Sequence, residues 1–228
     1  MRLSWTALLL SSIGLSAAYA IEKINCQNNH HVQAKYCAAD FVVKATVKSR
    51  SNDSLPDWDV FNVNIKSQIK INKEFMQLSD EQLRRIFVPK FTNFVWQFGQ
   101  KYILSGHNRF VNGSHNLVVE KCDWVQLWSQ IGHRHKSSMR KAKFENGCQC
   151  SISFDPESSS SNVCHLQFKN KKDYLHLIGP QLVRQCLEKH AHCLTKAVTP
   201  VQFKCVWSWN RELESCLEMN AKSDSNSL

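Results

Sequence analysis

The chain has 228 residues, 43% hydrophobic and 21% charged, with a formal net charge of +10. That balance excludes a disordered tail protein and a multispanning membrane protein. Seven glycines and five prolines exclude collagen-like and low-complexity chains. At about 100–200 residues per domain, the length allows one or two compact domains.

The first element is a leader. Met1 and Arg2 precede an apolar run over residues 5–15, and Ala18-Tyr19-Ala20 supplies small residues at −3 and −1 of a cleavage site. Residues 1–20 therefore read as a signal peptide, Ile21 as the mature terminus, and the protein as secreted and extracellular. The apolar run falls short of the roughly 20 residues a membrane span needs, and no later window replaces it. All ten cysteines, at 26, 37, 122, 148, 150, 164, 186, 193, 205 and 216, follow the leader. An even number in an oxidising compartment implies five disulfides. None of them shows the C-x2-C spacing of a zinc ribbon, so no metal site is expected. Asn52-Asp53-Ser54 and Asn112-Gly113-Ser114 are N-glycosylation sequons in expected loops.

Residues 40–121 carry a β pattern. Phe41, Val43, Ala45 and Val47 alternate with Lys44, Thr46 and Lys48, as a half-buried strand requires. After a polar turn at 51–56, a long second strand places Phe61, Val63, Ile65, Ile69 and Ile71 on one face. Residues 86–88 form a third run, stopped by Pro89, and 94–98 a fourth. A turn is expected before residues 82–85. Residues 102–104 and 117–119 flank Asn112-Gly113, a strong hairpin signal. Several short strands without a βαβ rhythm indicate a small β-barrel or a sandwich.

A helix fits residues 127–143, weakened by Gly132 and its serines. Seven of the ten cysteines lie from Cys148 onward, which indicates a small subdomain stapled by disulfides. The polar tail after Asn220 is expected to fray. Cys148-Gln149-Cys150 cannot readily close on itself, so its two cysteines send bridges in different directions and mark a boundary. The expected division is 21–148 and 149–228.

The framework resembles the tissue inhibitors of metalloproteinases (TIMPs), with their netrin-like N-terminal domain. The matching stretches are residues 36–45 (Tyr36-Cys37-Ala38-Ala39-Asp40 and onward), Tyr102-Ile103-Leu104-Ser105-Gly106, Cys122-Asp123-Trp124-Val125 with Trp128, Gly147-Cys148-Gln149-Cys150, and Cys205-Val206-Trp207. Their order and spacing over about 180 residues make the match specific. The resemblance implies a mainly β fold with helices: a five-stranded OB-like barrel plus the stapled C-terminal subdomain. It implies the pairs Cys26–Cys122, Cys37–Cys148, Cys150–Cys205 and Cys164–Cys193. Cys186 and Cys216 are left to each other, outside the family pattern.

Function follows from the same resemblance: a secreted inhibitor of extracellular zinc metalloproteinases, entering the active-site cleft. Relatives begin the mature chain with a cysteine whose amine and carbonyl oxygen ligate the protease zinc, and the next side chain fills the neighbouring pocket. Here Cys26 matches the third position of that motif, so the contact ridge becomes Ile24, Asn25 and Cys26, flanked by loops 49–57 and 91–98. Ile24 replaces the chelating cysteine, and no cysteine lies between Cys37 and Cys122 to pair with one; Trp96 and its neighbours occupy that region. After cleavage at Ala20, Ile21-Glu22-Lys23 precede Ile24, and an internal amide nitrogen has no available lone pair for a metal. The alternative is therefore a non-inhibitory netrin-like module that binds matrix or a receptor.

Basic residues at 133–143, with Lys169, Lys171 and Lys172, suggest sulfated glycosaminoglycan as a second partner. A protein that leaves the cell is not expected to bind nucleic acid through its barrel. His30 and His31 are expected as solvated loop residues. His133-x-His135 and His190-x-His192 match no hydrolase motif, so neither enzyme activity nor a cofactor is expected. A monomer is expected.

Overall fold

The computed structural model describes residue 26 and residues 31–53, 55–154, 160–165, 174–199 and 202–225. The leader and ridge residues Ile24 and Asn25 lie outside the described residues, as do His30, Lys169, Lys171 and Lys172.

Five strands close into a barrel. β1 (Phe41–Arg50) pairs antiparallel with β2 (Trp58–Ile71), and β2 with β3 (Arg85–Pro89). β3 runs parallel to β5 (Ser114–Val118), and β5 pairs with β4 (Lys101–Val111), which closes on β1. A short β6 (Val125–Leu127) extends the sheet from β4. The inward set is the one expected from alternation: Phe41, Val43, Ala45, Val47, Phe61, Val63, Tyr102, Leu104 and Leu117 share one buried cluster. The hairpin also forms where the dipeptide placed it, with Asn112 and Gly113 both left-handed at φ 51° and 80°, the conformation a two-residue turn between twisted strands requires.

Four expectations about strands, helices and their faces are corrected. Residues 94–98 are not a strand: Pro89 ends β3, a 3₁₀ turn (Lys90–Thr92) follows, and left-handed Asn93 turns the chain off the sheet. The 127–143 helix divides into β6, a 3₁₀ turn (Trp128–Gln130), α2 (His133–Arg140) and α3 (Lys143–Asn146), with Ala142 left-handed between the helices. Ile69 leaves the inward face, because register shifts opposite Val42/Val43 and Lys44/Ala45 re-aim it onto the outer cluster. The expected frayed tail is helical as far as Ser225, in α5 (Arg211–Ser225). The stretch before residue 85 is turn-like, with 3₁₀ turns at Phe75–Gln77 and Gln82–Arg84.

The outer face of the sheet is also covered. Val42 and Ile103 pack under Tyr36 of α1 (Val32–Ala38), Trp124, Ile131, Met139 and Phe144. The C-terminal residues bury their own cluster between α4 (Tyr174–His190), α5 and the ribbon of β9 (Cys193–Thr199) with β10 (Gln202–Trp207). α4 breaks at Gly179, and Pro180 restarts it, the position where a missing N–H costs least. β7 (Ser151–Ile152) pairs with β8 (Val163–Cys164). No helix among the described residues is long and apolar enough to cross a membrane.

α1 joins the two clusters. The Gln33 side chain accepts from Cys193 N at 2.6 Å and donates to Cys193 O at 2.9 Å and to Phe144 O at 3.3 Å. Gly147 lies against that contact: a Cβ there would sit 2.1 Å from Cys193 O. At the far end of α1, Lys70 Nζ donates to the carbonyls of Tyr36, Cys37 and Ala39 at 2.9, 2.9 and 2.6 Å.

His31 is not solvated. It is 1% exposed, caps α1 by accepting from Gln33 N through Nδ1, and packs its ring against Trp207 and Phe154. His135 and His192 join it around Phe144. Burial pushes His31 down to about 3 and both His135 and His192 to about 4, with repulsion from His135 at His31, from His190 at His135 and from Lys143 at His192 adding to it. The Leu187 and Ala191 carbonyls oppose the shift at His31, yet its Nε2 makes no hydrogen bond.

Two predictions follow from the junction. Imidazoles with depressed folded values stabilise fully above about pH 6.5, and that stability is lost as pH falls toward 4. At about 1.4 kcal/mol per unit, three such groups withdraw several kcal/mol. The thermal midpoint should fall steeply over that window, and His31→Asn, which keeps a capping acceptor, should flatten the profile. A midpoint unchanged between pH 7 and 4.5 contradicts the burial argument. Lys70→Met should cost about 2–3 kcal/mol in urea unfolding, since it removes charge-assisted bonds from three carbonyls.

Candidate protease-contact site

The structure pairs Cys26–Cys122, Cys37–Cys148, Cys150–Cys205, Cys164–Cys193 and Cys186–Cys216. The first two close loops of 96 and 111 residues, worth about 4–5 kcal/mol each in the chain-entropy model. Cys186–Cys216 ties α4 to α5.

Cys26 is the one ridge residue described, and its bridge fixes it to the turn after β5. Beside Cys122 opens a cleft of about 280 Å³ whose lining includes Asp57, Trp58, Pro89, Phe91 and Lys121. Loops 51–57 and 90–100 flank it, and Lys90 locks them together. Its Nζ donates to the carbonyls of Leu55 and Pro56 at 2.7 and 2.8 Å, and its backbone N to Asp57 O at 3.0 Å. Arg50 pairs with Asp59, and Arg85 with Asp53, at the base of the same loop.

The second loop is pinned without a disulfide. Half-buried Trp96 packs its ring on Phe61, Phe94 and Tyr102 at centroid distances of 5.4, 5.5 and 5.3 Å. Gln97 N donates to the Tyr102 hydroxyl at 2.8 Å and Gly99 N to Val47 O at 2.7 Å. Phe91, Val95 and Phe98 are left outside, 56%, 93% and 52% exposed. Of these three, Phe91 also lines the cleft.

A sequence model of the tissue inhibitor of metalloproteinase family matches residues 22–207. The chain belongs to that family. No curated protein matches it.

Members of this family are, as a group, inhibitors of metalloproteinases. The motif residues also gain physical reasons. Ser105 N donates to Trp124 O at 2.9 Å and Trp124 N to Ser105 Oγ at 2.7 Å, which fastens the chain after Cys122 to β4. The sequon residues Asn52 and Asn112 are exposed, and Asn112 lines a separate cleft of about 540 Å³ together with Asp53, next to Asn52. The histidine pairs distribute differently: His135 and His192 are in the junction cluster, whereas His133 is exposed. Sequence reasoning missed Lys90 as the lock between loops; a lysine after Pro89 carries no local signal of three backbone acceptors.

Trp96→Ala should cost about 2–3 kcal/mol, below the 3–5 of a fully buried tryptophan, and should speed amide exchange at Gln97 and Gly99. Exchange unchanged at both amides would mean the loop is held by something other than this packing.

Proposed function

We propose that the chain is a secreted, extracellular inhibitor of zinc metalloproteinases that inserts Ile24, Asn25 and Cys26 into the active-site cleft. Loops 49–57 and 91–98 would make the flanking contacts. The carrying observation is the Cys26–Cys122 bridge set beside a cleft and a pinned loop bearing exposed Phe91, Val95 and Phe98. Preorganised edges of this kind lower the ordering cost of binding. Asn52 and Asn112 carry glycans in this reading, residues 21–148 form the inhibitory domain and 149–228 a second one, and the protein acts as a monomer.

The chemistry at the metal depends on where the mature chain starts. An α-amine at Ile24 would offer a lone pair, since such amines have ordinary pKa values of about 7.7–8.0. A chain starting at Ile21 places a peptide nitrogen at Ile24 instead. It then inhibits by occlusion, keeping substrate and the attacking water away from the metal, with lower affinity than a chelator.

A second reading, a matrix-binding module, is favoured by one observation. Lys44 and Lys136 both sit over the Trp128 ring, at 4.8 and 5.2 Å from its centroid, with exposed Arg140 on the same helix as Lys136. Two ammonium groups beside an indole suit a sulfated glycosaminoglycan.

The experiment is to fix the amino terminus of the secreted chain by mass spectrometry and titrate it against a panel of zinc metalloproteinases. Stoichiometric inhibition is expected. No inhibition at micromolar concentration, with heparin binding that weakens with salt and with Lys44→Ala, would overturn the inhibitor reading in favour of the matrix module.

A further inference from the structure

His107 on β4 stands between two carboxylates. Its Nδ1 lies 3.4 Å from Asp40 Oδ2 and its Nε2 lies 3.6 Å from Asp123 Oδ1. Asp40 directly precedes β1, and Asp123 directly follows Cys122. Each carboxylate also holds backbone. Asp40 Oδ2 accepts from Asn108 N at 3.0 Å, and Asp123 Oδ2 accepts from Glu120 N at 2.7 Å. With Asp123 N donating to Glu120 O at 3.1 Å, the latter closes the turn over residues 120–123, which carries Cys122.

The charged surroundings are limited. Asp123 faces His107, Glu120 and Lys35, whose Nζ also donates to the Asp123 carbonyl at 3.4 Å. Asp40 faces His107 and Lys70, and Glu120 faces Arg109 at 3.8 Å. Burial lifts the Asp123 carboxyl to about 6, against the Glu120 N–H and His107, which both lower it. At neutral pH the site therefore holds a buried carboxylate next to an imidazole.

We propose that Asp40, His107 and Asp123 form a positioning bridge for the Cys26–Cys122 disulfide, tying its turn to β1 and β4 and so setting the ridge for the protease cleft. The inference rests on the inhibitor reading above. A disulfide fixes the distance between two Cα atoms but leaves its turn free to rock, and a displacement of about 1 Å at a reacting or contacting group is costly. The imidazole removes that freedom by holding the turn to two strands. His107 is a positioning residue, acting on the ridge only through Cys122.

Sign separates this role from plain stabilisation. A carboxyl whose folded value is raised binds its proton more tightly folded than unfolded, so its share of global stability grows as pH falls from about 6 toward 3.8. The same protonation removes the anionic acceptor that faces His107 and loosens the turn. Relative to an Asp123→Asn variant, acid should raise stability while lowering affinity.

The test uses the full secreted chain and its His107→Gln, His107→Lys and Asp123→Asn variants. Dissociation constants are measured with one zinc metalloproteinase catalytic domain at pH 7.5 and 5.5. A small zinc-chelating inhibitor reports the enzyme's own pH dependence. Amide exchange over residues 120–124 is followed in the free chain. His107→Gln should weaken binding about tenfold at pH 7.5, or about 1.4 kcal/mol, and His107→Lys, whose ammonium can donate to both carboxylates, should restore most of it. The wild-type chain should lose affinity at pH 5.5 beyond the control, and Asp123→Asn should lack that step. Variants that bind as the wild type, with its pH dependence, overturn the proposal. If the wild-type chain binds no metalloproteinase, the inhibitor reading fails, and exchange alone decides the bridge. Faster exchange in His107→Gln, reversed in His107→Lys, supports it; unchanged exchange overturns it.

Discussion

Helix α1 has seven residues, about half the length at which an isolated helix becomes even marginal in water. It exists because it is held at every point: capped by His31, bonded through Gln33, buried at Tyr36, bridged at Cys37 and gathered by Lys70 at its last carbonyls. The contacts are interdependent. Gln33 reaches Cys193 only because Gly147 has no side chain in the way. His31 remains neutral only because Trp207 and Phe154 keep water from it. The barrel and the C-terminal cluster are thus joined by specific polar bonds at one short helix, and an error at any of them leaves a buried backbone group without a partner.

The contact surface solves a different problem. The Cys26–Cys122 bridge is covalent and restricts the unfolded chain as well as the folded one. The 91–100 loop is held by ring packing around Trp96 and by two backbone bonds, which restrict only the folded state. Cys26 is thus held by covalency and the 91–100 loop by packing.

Much of this was legible in the sequence because it is local. Period-two alternation gave the inward faces of β1 and β2, and Asn112-Gly113 gave the hairpin. What misled was alternation without a partner strand. Phe94 and Trp96 turn inward and Val95 outward, as in a strand, but the alternation fails at exposed Phe98, and left-handed Asn93 has already taken the chain away from any edge. The 127–143 helix failed for a related reason: Val125–Leu127 satisfies its backbone on β4, and Ala142 breaks the remainder. The end of α5 was legible and overlooked, since Leu213, Leu217 and Ala221 recur at helical spacing and pack together. The burial of His31 was not legible, because its neighbours Phe154 and Trp207 lie more than a hundred residues away.

The ridge and the junction are less separate than their distance in sequence suggests. Lys35 of α1 donates to the carbonyl of Asp123, so the helix that docks on β9 also steadies the turn carrying Cys122. Only four residues separate Cys26 from His31, where α1 is capped. A disturbance at Gln33 or Gly147 therefore has a physical route to the ridge through one rigid helix and one hydrogen bond, without passing through the barrel core. Coupling of this kind requires an element whose position both sites bias, and α1 meets that requirement. The C-terminal cluster then does more than add a second core: by fixing α1 it also steadies the turn that carries Cys122 and, through its bridge, Cys26.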